Sequence, residues 1–130
     1  LFKINLEMSH QQENVEKIII FLASSAPFIN YEIDLIRDIK KQENVYVTVK
    51  LHPSHSYKID DRDEILRLSD SVENSGHPAC NIFVSYNSFM EFDYKQKGLP
   101  TVSILRAGGV NQAKNQIKSI ILGISKTRKS

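Results

Sequence analysis

The sequence predicts an open, parallel α/β sheet with helices on both faces. Two observations carry this. Four short runs (17–23, 45–51, 81–85 and 101–105) are apolar and rich in β-branched residues, as strands buried on both faces are. Helix-compatible segments alternate with them. Residues 17–51 alone read as strand, helix, strand, a βαβ unit whose parallel crossover is expected to be right-handed. A chain of 130 residues suffices for one domain with its own core.

In order along the chain, Phe2, Ile4 and Leu6 alternate with Lys3, Asn5 and Glu7, so residues 1–16 read as an edge strand or as a linker from an upstream domain. The chain starts at Leu1 rather than methionine, and the expectation is a piece of a longer protein. The first strand, 17–23, is broken by Ser24, Ser25, Ala26 and Pro27, residues suited to a turn or to contact with a ligand. Asn30 is a fitting N-cap for a helix over 30–41. Ile33, Ile36 and Ile39 make its inner face with Leu35 beside them, while Glu32, Asp34, Arg37, Asp38 and Lys40 are assigned to the outer side. The second strand, 45–51, stops at Pro53. Asp61 or Asp63 opens a short helix with Ile65, Leu66 and Leu68, and a small strand fits near 71–73. After the strand at 81–85 comes a helix over 88–97 with Phe89, Phe92 and Met90 inward, closed by Gly98 and Pro100. The last strand is 101–105. Gly108 and Gly109 turn the chain into a helix over 111–124 with Ile117, Ile120, Ile121 and Ile124 on one face, and 125–130 is a basic tail.

Composition narrows the function. A net charge of +2 with a pI near 8.7 suits a small anionic ligand or an anionic membrane face, and lacks the concentrated basic patch that nucleic-acid binding needs. No apolar run reaches the ~20 residues of a membrane-spanning helix. The single cysteine, Cys80, reads as a small buried residue.

Ligands of open α/β sheets bind beyond the C-terminal ends of the strands, and two such ends are chemically equipped. Lys50 and His52 project from one side of the second strand, and Pro53 stiffens the backbone beside them. A lysine ammonium and a histidine N–H suit phosphate; the same residues also fit an ordinary loop mouth. Ser85, Asn87 and Ser88 stand where the third long strand gives way to a helix, a place that favours anions. Ser88 and Glu91 equally match a capping box. Asp93 could accept bonds from ribose hydroxyls or face solvent.

Taken together, Lys50-Leu51-His52-Pro53 followed by Ser88, Asp93, Gly98 and Pro100 resembles the C-terminal, nucleotide-binding half of GT-B-type glycosyltransferases with a His-Pro motif. The run from Asn87 to Tyr94 is similar to that of CDP-glycerol glycerophosphotransferases and related bacterial surface-polysaccharide enzymes. The resemblance implies a three-layer Rossmann-like domain over 17–124 that binds a nucleotide-sugar or a CDP- or CMP-linked donor without a metal or other cofactor. His52 would be the catalytic contact to the donor phosphate. Lys50, Pro53, Ser85, Asn87, Ser88, Glu91 and Asp93 would bind substrate. It also implies an acceptor-binding N-terminal domain outside this chain, a cytoplasmic location with possible contact at the inner membrane face, and no activity from these residues alone. Phe89, where many relatives have a second hydroxyl residue, and Asp93, where many have glutamate, depart from the pattern. The alternatives are a non-catalytic Rossmann- or flavodoxin-like binding or signalling module, and a nucleotide-sugar hydrolase or epimerase domain. No G-x-G-x-x-G follows a strand, which disfavours a dinucleotide site.

Overall fold

The computed structural model describes residues 17–128; the strand or linker expected at 1–16 lies outside the described residues. The chain forms β1 (Ile18–Ala23), a 3-10 turn (Ala26–Phe28), α1 (Ile29–Ile39), β2 (Val45–Lys50), α2 (Ile59–Leu68), β3 (Ser71–Val72), β4 (Ile82–Ser85), α3 (Met90–Gln96), β5 (Thr101–Ser103), α4 (Ile104–Ala107) and α5 (Val110–Arg128). All pairings are parallel, in the order β3-β2-β1-β4-β5. This is a Rossmann-like sheet, and its strand order reverses between β1 and β4.

Alternation along β1 builds two layers of different chemistry. Ile18, Ile20 and Leu22 enter an aliphatic layer with Val45, Val47 and Val49 of β2, five apolar residues of α1, Ile65 of α2, and Ala113, Ile117 and Ile121 of α5. Phe21 and Ala23 point to the other face and meet Phe83, Cys80 and Tyr94. The Phe83 and Tyr94 rings stack there with centroids 4.6 Å apart. Burial pushes the Cys80 thiol up to about 12, which disfavours the thiolate, the nucleophilic form.

Several elements differ from the sequence expectation. The 3-10 turn at Pro27 leads directly into α1, which therefore starts at Ile29, and Asn30 caps nothing. Glu32 is not on the outer side: it is fully buried. Phe89 and Phe92 do not face inward; they are 100% and 63% exposed, and Tyr94 fills the layer instead. The last strand stops at Ser103, whose hydroxyl accepts the Arg106 N–H and starts α4. Gly108, at φ 98°, ends that helix in a left-handed conformation that favours glycine. Residues 125–128, expected as a tail, continue α5, and Arg128 Nη1 donates to the Lys17 carbonyl at 3.2 Å. Among the described residues no helix is long and apolar enough to cross a membrane.

Candidate functional site

Register brings the site together. Ala23 of β1 pairs with Lys50 of β2 and with Ser85 of β4. The three central strands therefore end level, and the Ser24 N–H donates to the Lys50 carbonyl at 2.9 Å. Their following residues emerge side by side and wall a cavity of about 500 Å³, within the range of small-molecule sites. Ser24 and Ser25 come from β1, Lys50, His52 and Pro53 from β2, and Asn87 and Ser88 from β4. Phe28, Leu51, Phe89 and Met90 supply apolar wall, and among the described residues no carboxylate lines it. A second cavity of similar volume adjoins it across Pro27 and His55.

The His-Pro loop is held by its own hydrogen bonds. The His52 N–H donates to the Tyr57 hydroxyl at 2.9 Å, and the Ser54 N–H donates to His52 Nδ1 at 3.1 Å. In the neutral ring this leaves the proton on Nε2. The His52 and His55 rings stack 3.7 Å apart, and His55 Nδ1 in turn accepts the Ala26 N–H at 3.2 Å. Lys50 Nζ donates to the Gly76 carbonyl at 3.3 Å from an exposed position. On the opposite wall Phe28 stacks on Tyr86 at 3.7 Å.

In the turn after β4, the Ser88 N–H donates to the buried Ser85 Oγ at 3.2 Å, and Ser88 Oγ accepts the Met90 N–H at 3.1 Å. That leaves the Ser88 O–H as a donor. Asn87 Oδ1 accepts from Arg106 Nη1 at 3.4 Å. The capping box expected between Ser88 and Glu91 is not formed. Glu91 is buried against β5, where its Oε2 accepts from Arg106 Nη2, from Lys95 Nζ at 3.1 Å and from Thr101 Oγ1 at 3.4 Å. Asp93 stands 3.4 Å from His77 Nε2. Thus Lys50, His52, Pro53, Asn87 and Ser88 line one cavity and Ser85 supports it from beneath, while Glu91 and Asp93 lie off it.

Sequence reasoning passes over Glu32, His55 and Tyr57. The Ser24 hydroxyl donates to Glu32 Oε1 at 2.6 Å and the Ser25 N–H to Oε2 at 2.9 Å. Tyr57 OH donates to Ser24 Oγ at 3.1 Å. Desolvation of the buried carboxyl outweighs these two bonds to it and pushes Glu32 up to about 7. A signal is present in the sequence: Glu32 lies four residues before Ile36 and seven before Ile39, on the apolar stripe itself. Among the described residues no group of three or more His, Cys, Asp or Glu side chains is placed to hold a metal ion.

The fold and the cavity define a Rossmann-like domain with a pocket at its switch point that combines polar groups with an apolar wall and, among the described residues, no carboxylate. No protein-family model matches the chain, and no curated protein matches it significantly. Two solved structures are similar to the chain. One is MnaA of S. aureus in a co-structure with UDP, with TM-score 0.56 and 11% identity over 92% of this chain and 40% of that one. The other is KpsC, a β-Kdo 2,7 transferase of Thermosulfurimonas dismutans, with TM-score 0.49 and 18% identity over 78% of this chain and 42% of that one. The chain therefore spans less than half the length of either protein.

Proposed function

We propose that the chain is the donor-nucleotide-binding domain of a glycosyl- or glycerophospho-transferase, with the acceptor-binding domain elsewhere in a longer protein. The observation that carries this is the cavity itself. It opens at the switch point, where a Rossmann-like sheet receives ligands, and combines Lys50, two histidines and hydroxyl groups with an apolar wall and no lining carboxylate. That is a surface for an anion attached to a flat, partly apolar group, which a nucleotide phosphate supplies. MnaA, of the same fold, is solved with UDP. In this reading His52 Nε2–H and Lys50 take the donor phosphate, and the Ser88 hydroxyl and Asn87 bind from the other wall. During transfer, charge develops on the departing phosphate, and fixed donors already aimed at it stabilise that charge. The reading uses neither Glu91 nor Asp93 for the donor and invokes no metal.

Thermal-shift titration with CMP, CDP, UDP, GDP and ADP tests this, run beside His52→Ala and Ser88→Ala. A nucleotide at 100 times its dissociation constant stabilises the fold by about 2.7 kcal/mol. The expected result is a shift with at least one nucleotide that both substitutions reduce. A folded domain that shifts with none at millimolar concentration returns the chain to a plain binding module.

A further inference from the structure

The cavity has a polar floor that the donor reading does not use. Three bonds run in one direction, from the His52 N–H to Tyr57 OH at 2.9 Å, from Tyr57 OH to Ser24 Oγ at 3.1 Å and from the Ser24 hydroxyl to Glu32 Oε1 at 2.6 Å. Each hydroxyl accepts once and donates once, and the chain ends on a carboxylate at 0% exposure. The other carboxylate oxygen takes the Ser25 N–H. Ser24, Ser25 and His52 all line the cavity. The relay therefore ties the turn after β1 to the His-Pro loop, and it commits the Ser24 hydrogen to Glu32 rather than to a ligand.

We propose that Glu32 is the positioning residue of this cavity, taking up one proton from solvent when an anionic ligand binds and thereby releasing the Ser24 hydroxyl to donate to that ligand. This rests on the reading of the cavity as a phosphate site. An anion seated against Ser24 and Ser25 opposes the buried negative charge behind them. With a proton on Oε1, Glu32 becomes the donor to Ser24 Oγ. That oxygen has a second lone pair, so the bond from Tyr57 stays in place. The Ser24 hydrogen turns into the cavity, and the Ser25 N–H keeps its acceptor on Oε2.

The other charged and titratable groups near Glu32 are placed differently. Tyr57, on the His-Pro loop, has its phenol held above the ordinary value chiefly by burial. His52, His55 and Lys50 are on the cavity wall. On the helices packed on α1, Lys114 and Lys118 of α5 pair with Asp34 and Asp38, Glu64 of α2 pairs with Arg37, and Asp61 of α2 lines the adjoining cavity. Glu32 itself, ordinarily ionised at neutral pH, is raised by burial to about 7, so a small added repulsion changes its state.

Glu32→Gln separates the effects, because its amide N–H donates to Ser24 Oγ and its amide oxygen accepts from Ser25, as the protonated acid does. Affinity for UDP, and for inorganic pyrophosphate as a second probe, is measured by calorimetry from pH 6 to 8 in wild type and variant. Protons taken up elsewhere, on the protein or on the ligand, are common to both and drop out of the comparison. The wild type is expected to lose affinity more steeply as pH rises, by up to about tenfold per pH unit for one linked proton, while the variant keeps the low-pH affinity at pH 8. Ser24→Ala, which removes the released donor, is expected to weaken binding at pH 6 towards the wild-type value at pH 8. Binding with equal pH slopes in wild type and Glu32→Gln overturns the coupling and leaves the phosphate site standing. Failure of both probes to bind either protein overturns the phosphate site and the coupling with it.

Discussion

Replacing Glu32 by glutamine should change the pH dependence of folding stability with no ligand present. In the unfolded chain this carboxyl ionises near its ordinary value of 4.5; in the folded protein burial raises that to about 7. Between these values the folded protein holds a proton that the unfolded chain has released. Stability contributed by Glu32 is therefore fully present below pH 4.5 and is lost as pH rises through 7. One proton held across that interval is worth about 1.4 kcal/mol for each pH unit, so the loss is about 3 kcal/mol, a large share of the roughly 5–15 kcal/mol typical of a domain. Glutamine has no charge to bury. Urea unfolding of both proteins at pH 5, 6, 7 and 8 gives the difference directly. The variant should be equal to or slightly less stable than wild type at pH 5 and more stable by about 2–3 kcal/mol at pH 8. A difference that stays flat across the series, or that moves in favour of wild type as pH rises, refutes the burial argument.

Two further outcomes follow from side chains described above. Phe89→Ala should leave unfolding midpoints unchanged, because the ring is 100% exposed, yet weaken nucleotide binding several-fold in the same thermal-shift titration, because the ring stands at the cavity wall. Tyr94→Phe should lower stability by about 1–2 kcal/mol in urea, since it leaves the buried Pro78 carbonyl without its 2.8 Å donor.

The sheet is legible in the sequence because strands buried on both faces need apolar runs rich in β-branched residues, and 18–23, 45–50 and 82–85 are such runs. Level strand ends then make it simple to bring Lys50, His52 and Ser88 to one edge. What stays hidden depends on partners distant in the chain. Glu32 lies on the apolar stripe, yet its charge makes it look solvated until Ser24 and Ser25 are seen to satisfy both its oxygens. Two phenylalanines outrank a tyrosine in apolar character, so pattern alone puts Phe89 and Phe92 inside. Arg106, from the far side of β5, neutralises an inward Glu91 and so fixes which side of α3 meets the sheet. Ile104 and Leu105 continue a strand-like run, and only the Ser103 cap turns them into a helix. Local pattern names most of the elements, and polar contacts between segments decide how two of them, α1 and α3, face.

The difference between the two layers acts as a key for strand register. A one-residue slip of β1 exchanges the faces of all its side chains. It would drive Phe21 into the layer that Ile18, Ile20 and Leu22 now fill, and leave Ile20 opposite the Phe83 and Tyr94 rings. The same slip would move the Ser24 turn by about 3.3 Å along the strand, far enough to part it from both Glu32 and the His-Pro loop. A sheet with one uniform core could tolerate such an error and still look folded. Here a misregistered chain loses its packing and its pocket together.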